Sequence, residues 1–175
     1  QDAGSTTDGI ASIHDIEAGL SFAAPPLVDL DDRAIGVPRI IAAGGTGDEY
    51  ARAAYAPVTT FARTRCATRV ETTGDDLVVH CAAEGIAVAW RFTPAGTISV
   101  RYTWDRAAAP AGARFAPELS LAHPLDLEAP AAHQVWRYEI ATTAKSERGI
   151  EHVRQGEAIT PLFDAGTGEA AFTLR

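Results

Sequence analysis

Trp136-Arg137-Tyr138-Glu139-Ile140-Ala141-Thr142 places Trp136, Tyr138 and Ile140 on one face of an extended segment and Arg137 and Glu139 on the other. That period of two is the signature of a half-buried β-strand. Thr143-Ala144 leads into a small polar turn, Lys145-Ser146-Glu147-Arg148-Gly149, after which strand character resumes over Ile150–Gln155 and Ala158–Leu162. A hairpin of this kind sets the expectation for the whole chain.

The same alternation recurs on both sides of it. Strands are predicted near Ala11–Ile16, Leu27–Leu30, Arg33–Ile41, Val58–Val70, Asp76–Ala83, Ile86–Phe92, Thr97–Trp104, Arg114–Ala122, Gln134–Thr142 and Ala170–Leu174. Gly44-Gly45, Gly74-Asp75, Glu84-Gly85, Pro94-Ala95-Gly96, Pro110-Ala111-Gly112 and Ala165-Gly166 punctuate them as turns. Short strands at short intervals predict an all-β, antiparallel β-sandwich with little helix. Asp48–Ala54 is the one helix candidate, and Leu125–Ala132 is expected as a surface loop. The hairpin that aligns Ile86, Val88, Trp90 and Phe92 with Ile98, Val100, Tyr102 and Trp104 should form the centre of the core, because aromatic side chains bury the most surface.

The 175 residues fit one domain, with Gln1–Gly9 a flexible lead-in and residues 10–175 the sandwich. A 46% hydrophobic and 22% charged composition is that of an ordinary globular chain. No apolar run reaches the length of a membrane span. The net charge of −8 excludes a general nucleic-acid binder. No methionine is present, so Gln1 is expected to follow processing or trimming. Of the two cysteines, Cys66 falls opposite Cys81 if Thr73-Gly74 is the centre of the intervening turn. A cross-strand disulfide then competes with two buried thiols.

Catalytic and metal motifs are lacking. The histidines at 14, 80, 123, 133 and 152 share no metal-ligand spacing, no Gly-x-Ser-x-Gly elbow exists, and Gly44-Gly45-Thr46-Gly47 lacks the Lys-Ser/Thr of a phosphate loop. No cofactor is implied.

The tract Ser146-Glu147-Arg148-Gly149-Ile150 with Gln155-Gly156 resembles the C-terminal β-sandwich domain of family 57 glycoside hydrolases, the α-amylase and 4-α-glucanotransferase group. That family has a Ser-Glu-x-Gly-Phe turn and a Gln-Gly strand there; its preceding Glu-Thr is here Ala141-Thr142, and its Phe is Ile150. Ser12-Ile13-His14-Asp15-Ile16 is similar to the strand that opens its sandwich. Leu27–Val37, with Asp29, Asp31 and Arg33, is a worn version of its next segment, and Phe115-Ala116-Pro117-Glu118-Leu119-Ser120-Leu121-Ala122 is similar to a later strand. The resemblance implies a galactose-mutarotase-like supersandwich packed beside a catalytic (β/α) barrel. The barrel's carboxylate pair is not carried over, because no βα pattern exists here to hold it.

Glycosidic chemistry needs two carboxyl groups roughly 5–10 Å apart. Glu118 and Glu139 lie on apolar strands but are expected to be structural, bonded to neighbouring arginines. Sugar binding asks for open aromatic faces beside polar groups. Trp104, Trp136 and Tyr138, with Glu147 and Arg148 in the turn, are the carbohydrate-binding candidates, Trp104 foremost because it ends its strand beside Asp105 and Arg106. The resulting expectation is a non-catalytic accessory domain of an α-glucan-acting enzyme, partnered by a catalytic barrel or another protein and able to meet α-glucan. The alternative is an exported, self-contained sandwich with a structural or assembly role. Export would follow from a signal peptide before Gln1, and a cytoplasmic location from descent from a family 57 enzyme.

Overall fold

The computed structural model describes residues 28–146 and 149–175. The strand expected near Ala11–Ile16 and the turn residues Glu147 and Arg148 lie outside them. The strands are β1 (Ile35–Ile41), β2 (Pro57–Thr60), β3 (Ala67–Thr73), β4 (Asp76–Ala83), β5 (Ile86–Phe92), β6 (Ile98–Trp104), β7 (Arg114–Leu121), β8 (Leu127–Glu128), β9 (Gln134–Ser146), β10 (Gly149–Asp164) and β11 (Glu169–Leu174). A short helix, α1 (Gly47–Ala51), follows β1.

Two antiparallel sheets form a sandwich. One has the order β2-β1-β7-β10-β9 and the other β3-β4-β5-β6-β11-β8. Between them lies the main core. Ile40, Phe115, Leu119, Ile159 and Phe163 come from the first sheet, and Ile86, Trp90, Val100, Tyr102, Trp104, Phe172 and Leu174 from the second. The β5–β6 hairpin sits at its centre in the expected register, Ile86 opposite Trp104 and Trp90 opposite Val100. Trp104 stacks on Phe115 with ring centroids 3.9 Å apart.

A polar bond spans the layers. The Tyr102 hydroxyl donates to the Gly36 carbonyl at 3.0 Å, which satisfies a group that burial would otherwise leave costly. Gly36 has φ +77, and a Cβ there would lie 2.5 Å from both the Tyr102 hydroxyl and the Trp90 ring. Only glycine serves that crossing point.

Four expectations are corrected. The alternation read as one strand over Val58–Val70 is two strands in different sheets, because the chain crosses the sandwich over residues 61–66 and tucks Phe61 against the core. Residues 28–30 are not strand, whereas Leu127–Glu128, expected as loop, pairs with β11. The segments Ile150–Gln155 and Ala158–Leu162 are one strand, β10, kinked by a register shift between Arg154 and Gly156.

The β3–β4 register is also displaced. Thr73 pairs with Asp76, so Gly74-Asp75 is the turn centre and Thr68, not Cys66, faces Cys81. Cys66 precedes β3, and both cysteines are free thiols. The disulfide geometry expected for them belongs to a register the protein does not adopt.

Candidate functional site

The outer face of the five-stranded sheet carries a second cluster. Val37, Arg39 and Ile41 of β1 share that face with Ala116 and Glu118 of β7, since Arg39 pairs with Ala116 and Val37 with Glu118. Trp136 and Tyr138 of β9 reach it too, opposite Thr160 and Ala158 of β10. α1 covers the face. Thr46 caps the helix, accepting from the Glu49 amide while the Glu49 carboxylate accepts from the Thr46 amide. The Thr46 amide and hydroxyl both donate to the Glu49 carboxylate and hold that carboxyl below its ordinary value. Gly47 rests on Trp136, where a Cβ would sit 3.1 Å from the indole. The cap thereby delivers Tyr50 onto the sheet, with its ring 4.4 Å from that of Tyr55 and 5.3 Å from that of Trp136.

Arg39 and Glu118 meet beneath this cover, both almost fully buried. Arg39 Nη1 donates to the Tyr50 hydroxyl at 2.8 Å and lies 3.5 Å from Glu118 Oε2, while Nη2 donates to Asp31 at 3.1 Å. The Tyr138 hydroxyl donates to Glu118 Oε2 at 2.8 Å. Arg33 approaches Glu118 Oε1 at 3.7 Å, lies over the Tyr138 ring and is itself clasped by Asp29. Arg33 and Arg39, with Asp29, Asp31, Glu118 and the Tyr50 and Tyr138 hydroxyls, thus form one connected network, which the exposed Arg63 joins through Asp31 at 3.6 Å.

Burial works against the Arg39 charge, but the Tyr50 and Tyr55 hydroxyls, Glu118 and Asp31 outweigh it and raise its pKa. Burial, followed by the neighbouring Glu118, pushes the Tyr50 and Tyr138 phenols well above their ordinary value. The Arg39 guanidinium therefore stays charged, and the Tyr50 and Tyr138 phenols stay neutral, at neutral pH.

The cavity among Asp29, Asp31, Arg39, Tyr50, Tyr55, Glu118 and Tyr138 measures about 20 Å³. Roughly 10–15 Å³ suffices for one water molecule, and a pyranose ring cannot enter. Glu118, weighed as a carboxylate for glycosidic chemistry, is enclosed here by Arg39, Arg33 and Tyr138. Glu139 is apart from it, exposed and 3.6 Å from Arg154.

Among the described residues the three aromatic candidates do not form an open platform. Trp104 is buried and its Nε1 donates to the Ala165 carbonyl at 2.8 Å, which corrects its reading as the exposed aromatic. Its strand end is covered because residues 165–167 fold back over it. Trp136 is buried beneath α1, and Tyr138 commits its hydroxyl to Glu118 and its ring to Arg33. Glu147 and Arg148 lie outside the described residues. Among the described residues no group of His, Cys, Asp or Glu could hold a metal ion, and no helix is long and apolar enough to cross a membrane.

Sequence reasoning missed Arg39, Tyr50 and Tyr55. Arg39 carried a usable signal: a lone charge in Ile35-Gly36-Val37-Pro38-Arg39-Ile40-Ile41 must find a buried anion. The tyrosines carried none, since α1 reaches the sheet only through tertiary packing.

No family model and no curated protein matches the chain. Among solved structures it is similar to the 4-α-glucanotransferase of Thermococcus litoralis, with 21% sequence identity and a TM-score of 0.56. The match covers 84% of this chain but 28% of that one, so the likeness spans a minor part of the larger protein and is one of fold.

Proposed function

We propose that the chain is a non-catalytic, galactose-mutarotase-like sandwich module that serves an α-glucan-acting enzyme, packing beside a catalytic barrel and adding no glycosidic chemistry of its own. The observation that carries this reading is the asymmetry of the fold likeness. Most of this chain corresponds to less than a third of a glucanotransferase.

Two features support it. The separate blocks that resemble family 57 sandwiches converge in space: Asp29, Asp31 and Arg33 from one block join Glu118 from another in the buried network. Gly156, from the Gln-Gly strand, packs so closely on the Leu121 carbonyl of the Glu118 block that a Cβ would overlap it. The same network has no room for a sugar, which favours a packing role over a reacting or sugar-binding one at this face.

Purification of the native protein from its cells, followed by intact-mass and peptide mass spectrometry, tests the reading. The expected result is a polypeptide, or a stable complex, that includes a (β/α) barrel together with this sandwich. A native protein consisting of this chain with no barrel-bearing partner would overturn it.

A further inference from the structure

Edges decide how a sheet meets other chains, because unpaired backbone groups are a template for another strand. Among the described residues, two of the four sheet margins are short, β2 with 4 residues and β8 with 2. β9 is different. It runs for 13 residues at the margin of the five-stranded sheet, without proline or glycine, and among the described residues no strand pairs with its outer side.

We propose that β9 pairs with β9 of a second copy of this chain, antiparallel across a two-fold axis through Tyr138. A two-fold contact requires that residue i oppose j and j oppose i. Centring on Tyr138 sets Arg137 of each copy against Glu139 of the other. On the opposite face Tyr138 meets its own symmetry mate, and the backbone of Trp136, whose ring stays buried beneath α1, lies opposite Ile140. Opposite charges and aromatic pairs directly across an antiparallel ladder are stabilising.

Neighbouring registers lack this match. Centring on Arg137 opposes two arginines, and centring on Glu139 opposes two carboxylates. Centring on Ile140 leaves Glu139 facing Ala141 and Arg137 facing Thr143. Within its own chain Arg137 reaches Glu157 at 3.0 Å and Glu139 lies 3.6 Å from Arg154, both toward β10. Arg137 and Glu139 remain 42% and 54% exposed. The pairing stands on the β9 edge alone and is separate from the glucan reading.

Sedimentation equilibrium of the 175-residue chain tests it. The chain is expected as a dimer, and Arg137→Glu and Glu139→Arg are each expected as monomers, since either change opposes like charges. Mixing the two variants restores complementarity and should restore the dimer, as should the double exchange in one chain. A monomeric parent chain, single variants that stay dimeric, or a mixture that stays monomeric would each overturn the proposal. Circular dichroism confirms folding, and hydrogen exchange gives a second arm that needs no variant. The β9 amides of the parent chain should exchange more slowly as its concentration rises. Exchange independent of concentration overturns the pairing.

Discussion

Glu118 on β7 accepts a hydrogen bond from the Tyr138 hydroxyl on β9, although β10 lies between the two strands. The 2.8 Å bond bridges two ladders and binds three strands of the sheet on a face that a lone carboxylate would otherwise destabilise. Arg39 and Arg33 complete the balance of charge. Removing Glu118 takes away the more deeply buried of the two anions that hold Arg39 and leaves it Asp31 at 3.1 Å, a change that costs up to about 3–5 kcal/mol in such settings. Glu118→Ala is expected to lower the stability measured by urea unfolding by that amount. Glu118→Gln, which can still accept from Tyr138, should cost less.

Gly36 provides a second handle. With φ +77 and the Trp90 and Tyr102 side chains 2.5 Å from an added Cβ, Gly36→Ala incurs backbone strain and a steric overlap together. A loss of about 2–5 kcal/mol is expected from the two effects. Gly85 also has a positive φ but would meet nothing within 4 Å, so Gly85→Ala isolates the strain alone, about 1–3 kcal/mol. Equal losses at both sites, measured by thermal melting, would contradict the close packing assigned to Gly36.

Tyrosine ionisation reports the buried network through pH. The chain has 4 tyrosines, and burial raises the pKa of each: Tyr50, Tyr55, Tyr102 and Tyr138. A folded pKa above the unfolded one contributes stability that is complete below the unfolded value, about pH 10, and is lost as pH rises toward the folded value. Spectrophotometric titration should therefore show little phenolate in the native chain at about pH 10, then a steep rise coincident with unfolding. Independent, gradual ionisation before any unfolding would contradict the burial of the phenols.

The cysteines test the β3–β4 register. Without reductant both should take up an alkylating group, Cys66 faster than the half-buried Cys81. Failure of both to react until reductant is added would show a bridge and a different register.

Period-two alternation made the fold legible wherever one sheet face meets the core, as in Ile86–Phe92 and Ile98–Trp104. It failed at Val58–Val70, because alternation persists through a crossing between sheets and carries no mark of which sheet a residue joins. The turn at Gly74-Asp75 was legible as composition, yet a two-residue error in register decided the reading of Cys66 and Cys81. Glu118 was readable as a buried acid in need of arginines. Tyr50 and Asp31, which share Arg39 with it, were not, since their positions depend on how α1 and residues 28–34 drape over the sheet. Trp104 looked exposed only because the chain that covers it, residues 165–167, lies far away in sequence.

Maltoheptaose incubated with the purified chain and followed by ion chromatography probes whether Glu118 is a structural anion or a reacting group. An unchanged oligosaccharide profile is expected, for the parent chain and for Glu118→Gln alike. New shorter and longer maltooligosaccharides, formed by the parent chain and abolished by Glu118→Gln, would contradict the account.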